Sequence, residues 1–265
     1  MPTLAALLTA YHRTDVAEFT TALNSLLAQT RPADELVVVL DGTVKDAVRL
    51  AAEKAGARII ALPDNVGAGP ASQAGMETIT ADYVARLDSD DAAKPGRFAT
   101  QLAFLEAHPE VGALGTAVEE FAESPGDRDV VRTLPEDPSE YVKMNSPINN
   151  PSVMLRTSAV REVGGYQDVH FMEDYDLYAR LVAAGWQLRN LAEPLTYFRV
   201  TPEQFSRRTG KDMFAAEAEM QRRLVRYGLI SRPRAAANFL MRSVYRLLPH
   251  RLLTRVYALL FHRAR

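Results

Sequence analysis

Asp88, Asp90 and Asp91 put three carboxylates into four positions, directly after the apolar run Tyr83–Leu87. Anions this close repel one another and need a counter-charge. A hard divalent cation that prefers oxygen ligands, Mg²⁺ or Mn²⁺, would supply one. If a strand ran on through these acids, alternation would turn Asp88 and Asp90 to one side and Ser89 to the other. The plainer use of such acids is to cap the next helix, expected to open at Pro95. One acid suffices for that, and Asp91 is placed to do it. The cluster does not fit an EF-hand. Counted from Asp88, the positions that need an oxygen ligand, a glycine and a glutamate hold Ala92, Ala93 and Ala99.

A second acidic pair, Glu173-Asp174, lies in the segment Phe171–Leu177. At a helix start such a pair serves the helix dipole and the N-cap. It also suits a general base. Moving a group from a metal-bound diphosphate to a hydroxyl needs both a metal site and a base. Arg207-Arg208 would either sit in solvent or grip a diphosphate bidentately. Gly67-Ala-Gly69 begins like a dinucleotide fingerprint, but Ser72 stands where the last glycine belongs, and the segment follows the third strand rather than the first. The chain has no phosphate loop and no G-x-S-x-G elbow.

Alternating strands and helices must position these groups. Apolar runs predict strands at Leu4–Leu8, Leu36–Leu40, Arg58–Leu62, Tyr83–Leu87 and Val111–Ala117. Between them fall helices over 16–28 with Asp15 as N-cap, over a segment opened by a Thr43/Asp46 capping box, over small residues to Thr80, and over 95–107. This order implies a mainly parallel sheet in a layered α/β sandwich. Ligands of such sheets collect at strand carboxyl ends. Thr9-Ala10-Tyr11, Asp41 and Asp88–Asp90 all stand at such ends. Prolines 125, 135, 138, 147 and 151 then predict a long loop region over the sheet edge. A strand at 151–155, helices at 158–163 and 174–184, two short strands near 187–191 and 196–200, and a helix at 211–227 complete the reading. Asn149 and Asn150 are candidates to face an acceptor.

The 265 residues suit one α/β domain with an appendage, and the absence of cysteine rules out a disulfide framework or thiolate metal site. Neither a secretory signal nor a bilayer-spanning stretch is apparent, so a cytoplasmic location is expected. The net charge of −2 divides into +8 over residues 231–265, which hold eight arginines and no acid, and −10 over residues 1–230. An acidic body with a basic tail points to an anionic surface for the tail. Phe239, Leu240, Val244, Leu247 and Leu248, then Leu252, Leu253, Val256, Leu259 and Leu260, recur at helical spacing on either side of Pro249. Two helices could pack on the body with their arginines in solvent, or lie on the inner face of the plasma membrane.

Seven segments together resemble the family-2 inverting glycosyltransferases of the GT-A fold, in particular bacterial enzymes that build O-antigen or exopolysaccharide units. They are Ser25–Thr30, Glu35–Gly42, Asn65–Gly67, Ala85–Asp91, Arg97 with Gln101, Gly164–Tyr166 and Glu173–Leu177. The resemblance implies a catalytic domain over 1–210, with a nucleotide-sugar half (1–120) and an acceptor-side half (121–210), then a helical extension (211–265). It implies that Thr9, Tyr11, Arg13 and Asp41 hold the nucleotide base and ribose. Asp88 and Asp90 would be the DxD pair, with Asp90 on Mn²⁺ or Mg²⁺ and Asp88 near the ribose or metal. Asp174 would be the general base with Glu173 beside it, and Arg207 a diphosphate ligand. Asn65, Gly67, Gln73, Arg86 and Ser89 fall within the implied donor site. The expected partners are a nucleoside-diphosphate sugar, with uridine as the nucleoside, a saccharide acceptor carried on lipid, and an anionic membrane; no nucleic acid is expected. The chain departs from the family pattern where Leu40 precedes a single Asp41, and at Ser72-Gln73 in the third helix. A sugar-nucleotidyltransferase would need a glycine-rich loop after the first strand, where this chain has Thr9–Arg13. A non-catalytic nucleotide-sugar binder would not need the acids at 88, 90 and 174.

Overall fold

The computed structural model describes residues 2–201, 211–247 and 262–263. The first half alternates as the apolar runs require: β1 (Leu4–Tyr11), α1 (Val16–Leu27), β2 (Glu35–Asp41), α2 (Asp46–Lys54), β3 (Arg58–Ala61), α3 (Ala68–Thr78) and β4 (Tyr83–Arg86). Strands β3, β2, β1 and β4 lie side by side in that order and are all parallel. The carboxyl ends of β1, β2 and β4 therefore share one edge.

The second half begins with the two-residue strand β5 (Ala92–Ala93), α4 (Arg97–Ala107) and β6 (Val111–Phe121), which is buried throughout. β6 pairs antiparallel with β7 (Val130–Arg132) and β8 (Met154–Arg156). β8 also pairs antiparallel with β4 and so joins the halves into one sheet. Helices α5 (Thr157–Glu162) and α6 (Glu173–Ala183) follow, then β9 (Gln187–Arg199), parallel to β6. The result is the expected α/β architecture.

Alternation along β1 sends Leu4, Ala6 and Leu8 to a core with Phe19, Leu23 and Phe98, and Ala5 and Leu7 to a core with Met76, Val160, Leu177 and Leu181. Both faces are thus covered, as parallel strands demand. A third cluster joins Val142, Met172, Tyr175 and Ala179 to Met213, Met220 and Leu224 of α7 (Lys211–Arg226). Helix α8 (Arg232–Leu247) packs on α7, and β10 (His262–Arg263) pairs with β7.

Several local expectations are corrected. The two short strands near 187–191 and 196–200 are one strand. Register shifts opposite Thr116–Val118 absorb Pro194, which has no N–H for the ladder. Thr43 and Asp46 form no capping box: α2 starts at Asp46, and its N-cap Lys45 makes no side-chain cap bond. Pro95 precedes the Gly96 N-cap of α4, and its carbonyl accepts the Thr30 amide at 2.9 Å. The proline-rich stretch is built in rather than draped over the edge. Val142, Ile148 and Val153 are core residues, and Asn149 is buried with Nδ2 donating to the Thr116 carbonyl at 3.0 Å. Asn150 accepts the Tyr178 hydroxyl at 2.9 Å. Asp15 caps α1 as expected, accepting the amides of Ala17 and Glu18.

Candidate active site

At the carboxyl end of β2, Asp41 organises the turn after β3. Its carboxylate accepts the amides of Val66 (2.7 Å) and Gly67 (3.1 Å) and Nδ2 of Asn65 (2.9 Å). The next residue, Gly42, has φ +75°, and a Cβ there would stand 2.6 Å from the Asn65 nitrogen. Only glycine lets the two turns approach so closely. Asp41, Asn65 and Gly67 are therefore brought together, with Asp41 buried and its oxygens taken up in the turn. At the neighbouring end of β1, Thr9 and Tyr11 are half-buried and Arg13 is exposed.

The three acids after β4 do not continue the strand. β4 stops at Arg86, and Asp88–Asp91 is a turn closed by the Asp91 amide on the Asp88 carbonyl at 3.3 Å. Strand alternation therefore does not set their directions. Arg86, buried, donates Nη1 to Asp88 Oδ1 at 2.6 Å. Burial, then the charges of Asp88 and Glu18, pushes the Asp90 carboxyl up to about 6. Asp91 caps no helix. It is 1% exposed, and Oδ1 accepts the Arg199 amide at 2.7 Å while Oδ2 is buried without a partner. Burial, and then Asp90 and Asp88, raise its carboxyl well above the ordinary range. Ser89 lies half-buried on the same turn.

One arginine holds this turn and another the strand end before it. Arg199, ending β9, donates Nε to the Asp90 carbonyl (3.0 Å) and Nη1 to the Ala122 carbonyl (2.7 Å), and pairs with Glu18 of α1 at 3.3 Å. Arg97, fully buried in α4, donates to the carbonyls of Arg86 (2.7 Å) and Val153 (3.0 Å) and to Oε1 of Gln101 (3.0 Å). Gln101 in turn donates to the carbonyls of Leu114 and Ser152. Arg97 and Gln101 thus pin β4, β6 and the residues before β8. Sequence reasoning gave neither Arg199 nor Glu18 a place at the site. Arg199 reaches Asp91 across 108 residues of chain, and no local pattern marks that.

Glu173 and Asp174 open α6. The N-cap is Met172, without a side-chain cap bond, and Asp174 Oδ1 accepts the Tyr175 amide at 2.7 Å. The charges of Arg86 and Asp88 act on both acids. The two acid clusters therefore lie near each other. Burial, then Asp174, pushes Glu173 up to about 7, and burial also raises Asp174. Among these groups lies the Tyr166 hydroxyl, buried and unpartnered. The Gly164-Gly165-Tyr166 motif marked the segment, but not this hydroxyl. Asp176 has another part: fully buried, it pairs with Arg180 at 2.7 Å and accepts the Tyr227 hydroxyl at 2.6 Å. Gln73 is likewise engaged, its Oε1 accepting the Tyr166 amide at 2.7 Å. Arg207 lies outside the described residues.

Gly69 of α3 lets Glu173 come close. A Cβ there would meet the Gln167 carbonyl at 2.8 Å and Glu173 Cβ at 2.9 Å. Gly69→Ala should therefore overpack the α3–α6 contact by about 1–3 kcal/mol. Differential scanning calorimetry should show the melting temperature falling by roughly 2–10 °C. An unchanged melting temperature would mean that α6 yields freely.

Comparison with known proteins shows the family of this chain. The family model described as Glycosyl transferase family 2 matches residues 6–162, and that of Glycosyl transferase family group 2 matches residues 138–263. The amylovoran biosynthesis glycosyltransferase AmsE of Erwinia amylovora is 32% identical, over 96% of this chain and 97% of its own length. The UDP-Gal:alpha-D-GlcNAc-diphosphoundecaprenol beta-1,3-galactosyltransferase of Escherichia coli is 30% identical, over 94% and 92%. Among solved structures, S. aureus TarS 1-349 in complex with UDP-GlcNAc superposes with a TM-score of 0.67 at 15% identity, over 92% of this chain and 72% of that one. The chain spans 43% of the longer TarS structure. The structural likeness supports the GT-A fold. A family model covering more than half the sequence, and relatives aligned along nearly all of it, establish that this chain belongs to glycosyl transferase family 2 and is a glycosyltransferase.

Proposed function

We propose that this enzyme moves a sugar from a uridine-diphosphate donor to a hydroxyl of a lipid-linked saccharide, with inversion, in the assembly of a cell-surface polysaccharide. The reading rests on one observation above all: Glu173 and Asp174, at the start of α6, lie near enough to the Arg86–Asp88 pair at the strand edge to feel its charge. The relatives lend it chemistry. One is named for amylovoran biosynthesis, and another for a UDP-sugar and a diphosphoundecaprenol-linked acceptor.

A divalent cation suits the acids present, though not as an all-protein cage. Among the described residues, no three His, Asp or Glu side chains converge to chelate an ion. Mg²⁺ and Mn²⁺ are commonly held by one or two carboxylates together with substrate phosphates. Asp90, with Asp88 beside it, offers that partial set, and a cation would offset both the burial and the neighbouring Asp88 charge that lift Asp90. When bound, the ion would act as a Lewis acid on the leaving diphosphate. The half-buried Thr9 and Tyr11, with the Asp41–Asn65–Gly67 turn, would border the base and ribose. Asp174 would take the proton from the acceptor hydroxyl as that oxygen attacks the anomeric carbon. Glu173, sharing protons with Asp174, would set the pH at which that base is free. One in-line displacement through an oxocarbenium-like state inverts the centre.

A panel of UDP-, GDP- and dTDP-sugars with Mn²⁺ tests the reading by thermal shift and by release of nucleotide. A UDP-sugar at about 100 times its dissociation constant should add about 2.7 kcal/mol of apparent stability. It should also release UDP slowly to water. If no UDP-sugar shifted the transition and a GDP- or dTDP-sugar did, the uridine assignment would fall.

A further inference from the structure

Helix α8 is amphipathic in the opposite sense to a helix that completes a core. Pro233, Ala237, Leu240, Met241 and Val244 recur at the spacing of one helical face, and all five are exposed, Leu240 by 66%, Met241 by 49% and Val244 by 54%. The polar face turns inward. Asn238 is buried, and its Nδ2 donates to the Lys143 carbonyl at 2.8 Å and to Gln221 Oε1 at 3.1 Å. Arg242 donates to Glu217 Oε2 at 2.6 Å, to the Met144 carbonyl at 3.0 Å and to Asn145 Oδ1 at 2.6 Å. Glu217 is fully buried. Rolling the stripe inward would strand that carboxylate, so the helix is fixed with its apolar side out.

Charge indicates what the stripe faces. Helix α8 holds no Asp or Glu, and exposed Arg232 and Arg234 stand on its two flanks at the first turn. On the side next to α7, exposed Arg222 and Arg226 join Arg232 around a groove of about 550 Å³ floored by Val225, Ala236 and Phe239. Pairing the stripe with a second copy would set these like charges against each other, whereas an anionic bilayer offers both an apolar layer and phosphate groups. Among the described residues no helix is long and apolar enough to cross a membrane, which leaves interfacial seating. We infer that α8 docks on an anionic lipid surface, with Leu240, Met241 and Val244 in the acyl boundary and Arg232 and Arg234 on lipid phosphates. The inference does not depend on the donor or acceptor proposed above, because it is read by lipid binding alone.

Flotation of the full chain with vesicles containing phosphatidylglycerol, against vesicles of phosphatidylcholine alone, tests it. The protein should float with the anionic vesicles only, and high salt should release it. Leu240→Glu with Val244→Glu should abolish flotation. Arg232→Gln with Arg234→Gln should weaken it roughly 30-fold, at about fivefold per arginine. All four side chains are exposed, so unchanged circular-dichroism melting should accompany the loss. Equal flotation of either double variant and the wild type would overturn the inference. So would a wild-type chain that ignores anionic vesicles, or a dimer that Leu240→Glu with Val244→Glu turns into a monomer.

Discussion

Asp174→Asn is expected to lower sugar transfer by about 10²–10⁴-fold, the usual worth of a general base, while donor affinity stays within about twofold. The exchange is close to isosteric, and an asparagine oxygen can still accept the Tyr175 amide that Asp174 accepts. Structure around the site should therefore survive. The pH dependence gives a second readout. Glu173 stands near 7 and Asp174 is also raised, so the wild-type rate should fall as pH drops below about 7, when the pair gains its protons. Stability should run the other way. Both folded-state values lie above the unfolded ones, so the folded protein binds more protons between them, and stability declines as pH rises from about 4.5 towards 7. Removing one charge from the pair should thus leave Asp174→Asn at least as stable as wild type at pH 8. A stable variant with lost turnover separates a reacting group from a supporting one. Wild-type turnover in this variant would take Asp174 out of the reaction.

What the sequence reveals here is chiefly what periodicity and charge reveal. Leu4–Leu8 and Leu36–Leu40 are apolar on both faces because both faces are covered, and their polar stops mark the edge where the site forms. Legibility ends where distant contacts decide. Three acids at the end of a strand leave open whether the strand runs on through them. They form a turn whose backbone Arg199 holds from the far end of β9, while Arg97, from within α4, holds the Arg86 carbonyl that ends β4. Pro194 reads as a break, yet β6 carries β9 past it by shifting register. Helix α8 makes the same point. Its apolar spacing is visible in the sequence, but the direction it faces is set by Asn238 and Arg242, which read as surface residues until Glu217 and Gln221 meet them. Gln73 and Asp41 were expected at the donor. Each also accepts a backbone amide and so shapes the neighbouring loops, a use that residue type alone does not reveal.

Asp90→Asn should reverse the sign of a donor-binding measurement. With Mn²⁺ present, losing one carboxylate from an incomplete ligand set should weaken UDP binding by about 2–5 kcal/mol, a factor of about 30 or more. Without metal the same exchange should strengthen binding modestly, because a diphosphate entering the wild-type cleft meets Asp88, Asp90 and Glu18 with only part of their charge offset by Arg86 and Arg199. Titration calorimetry of both proteins, with Mn²⁺ and with chelator, reads the two effects side by side. The Asp90 backbone carbonyl still accepts Arg199 in the variant, so the turn should hold its form. Asp88→Asn is the instructive contrast. It removes the partner of a buried guanidinium, so it should lower the melting temperature as well as binding. If Asp90→Asn kept the full manganese dependence of the wild type, the cation would have to be held elsewhere, and the elevated carboxyl of Asp90 would reflect only its burial and the charges around the turn.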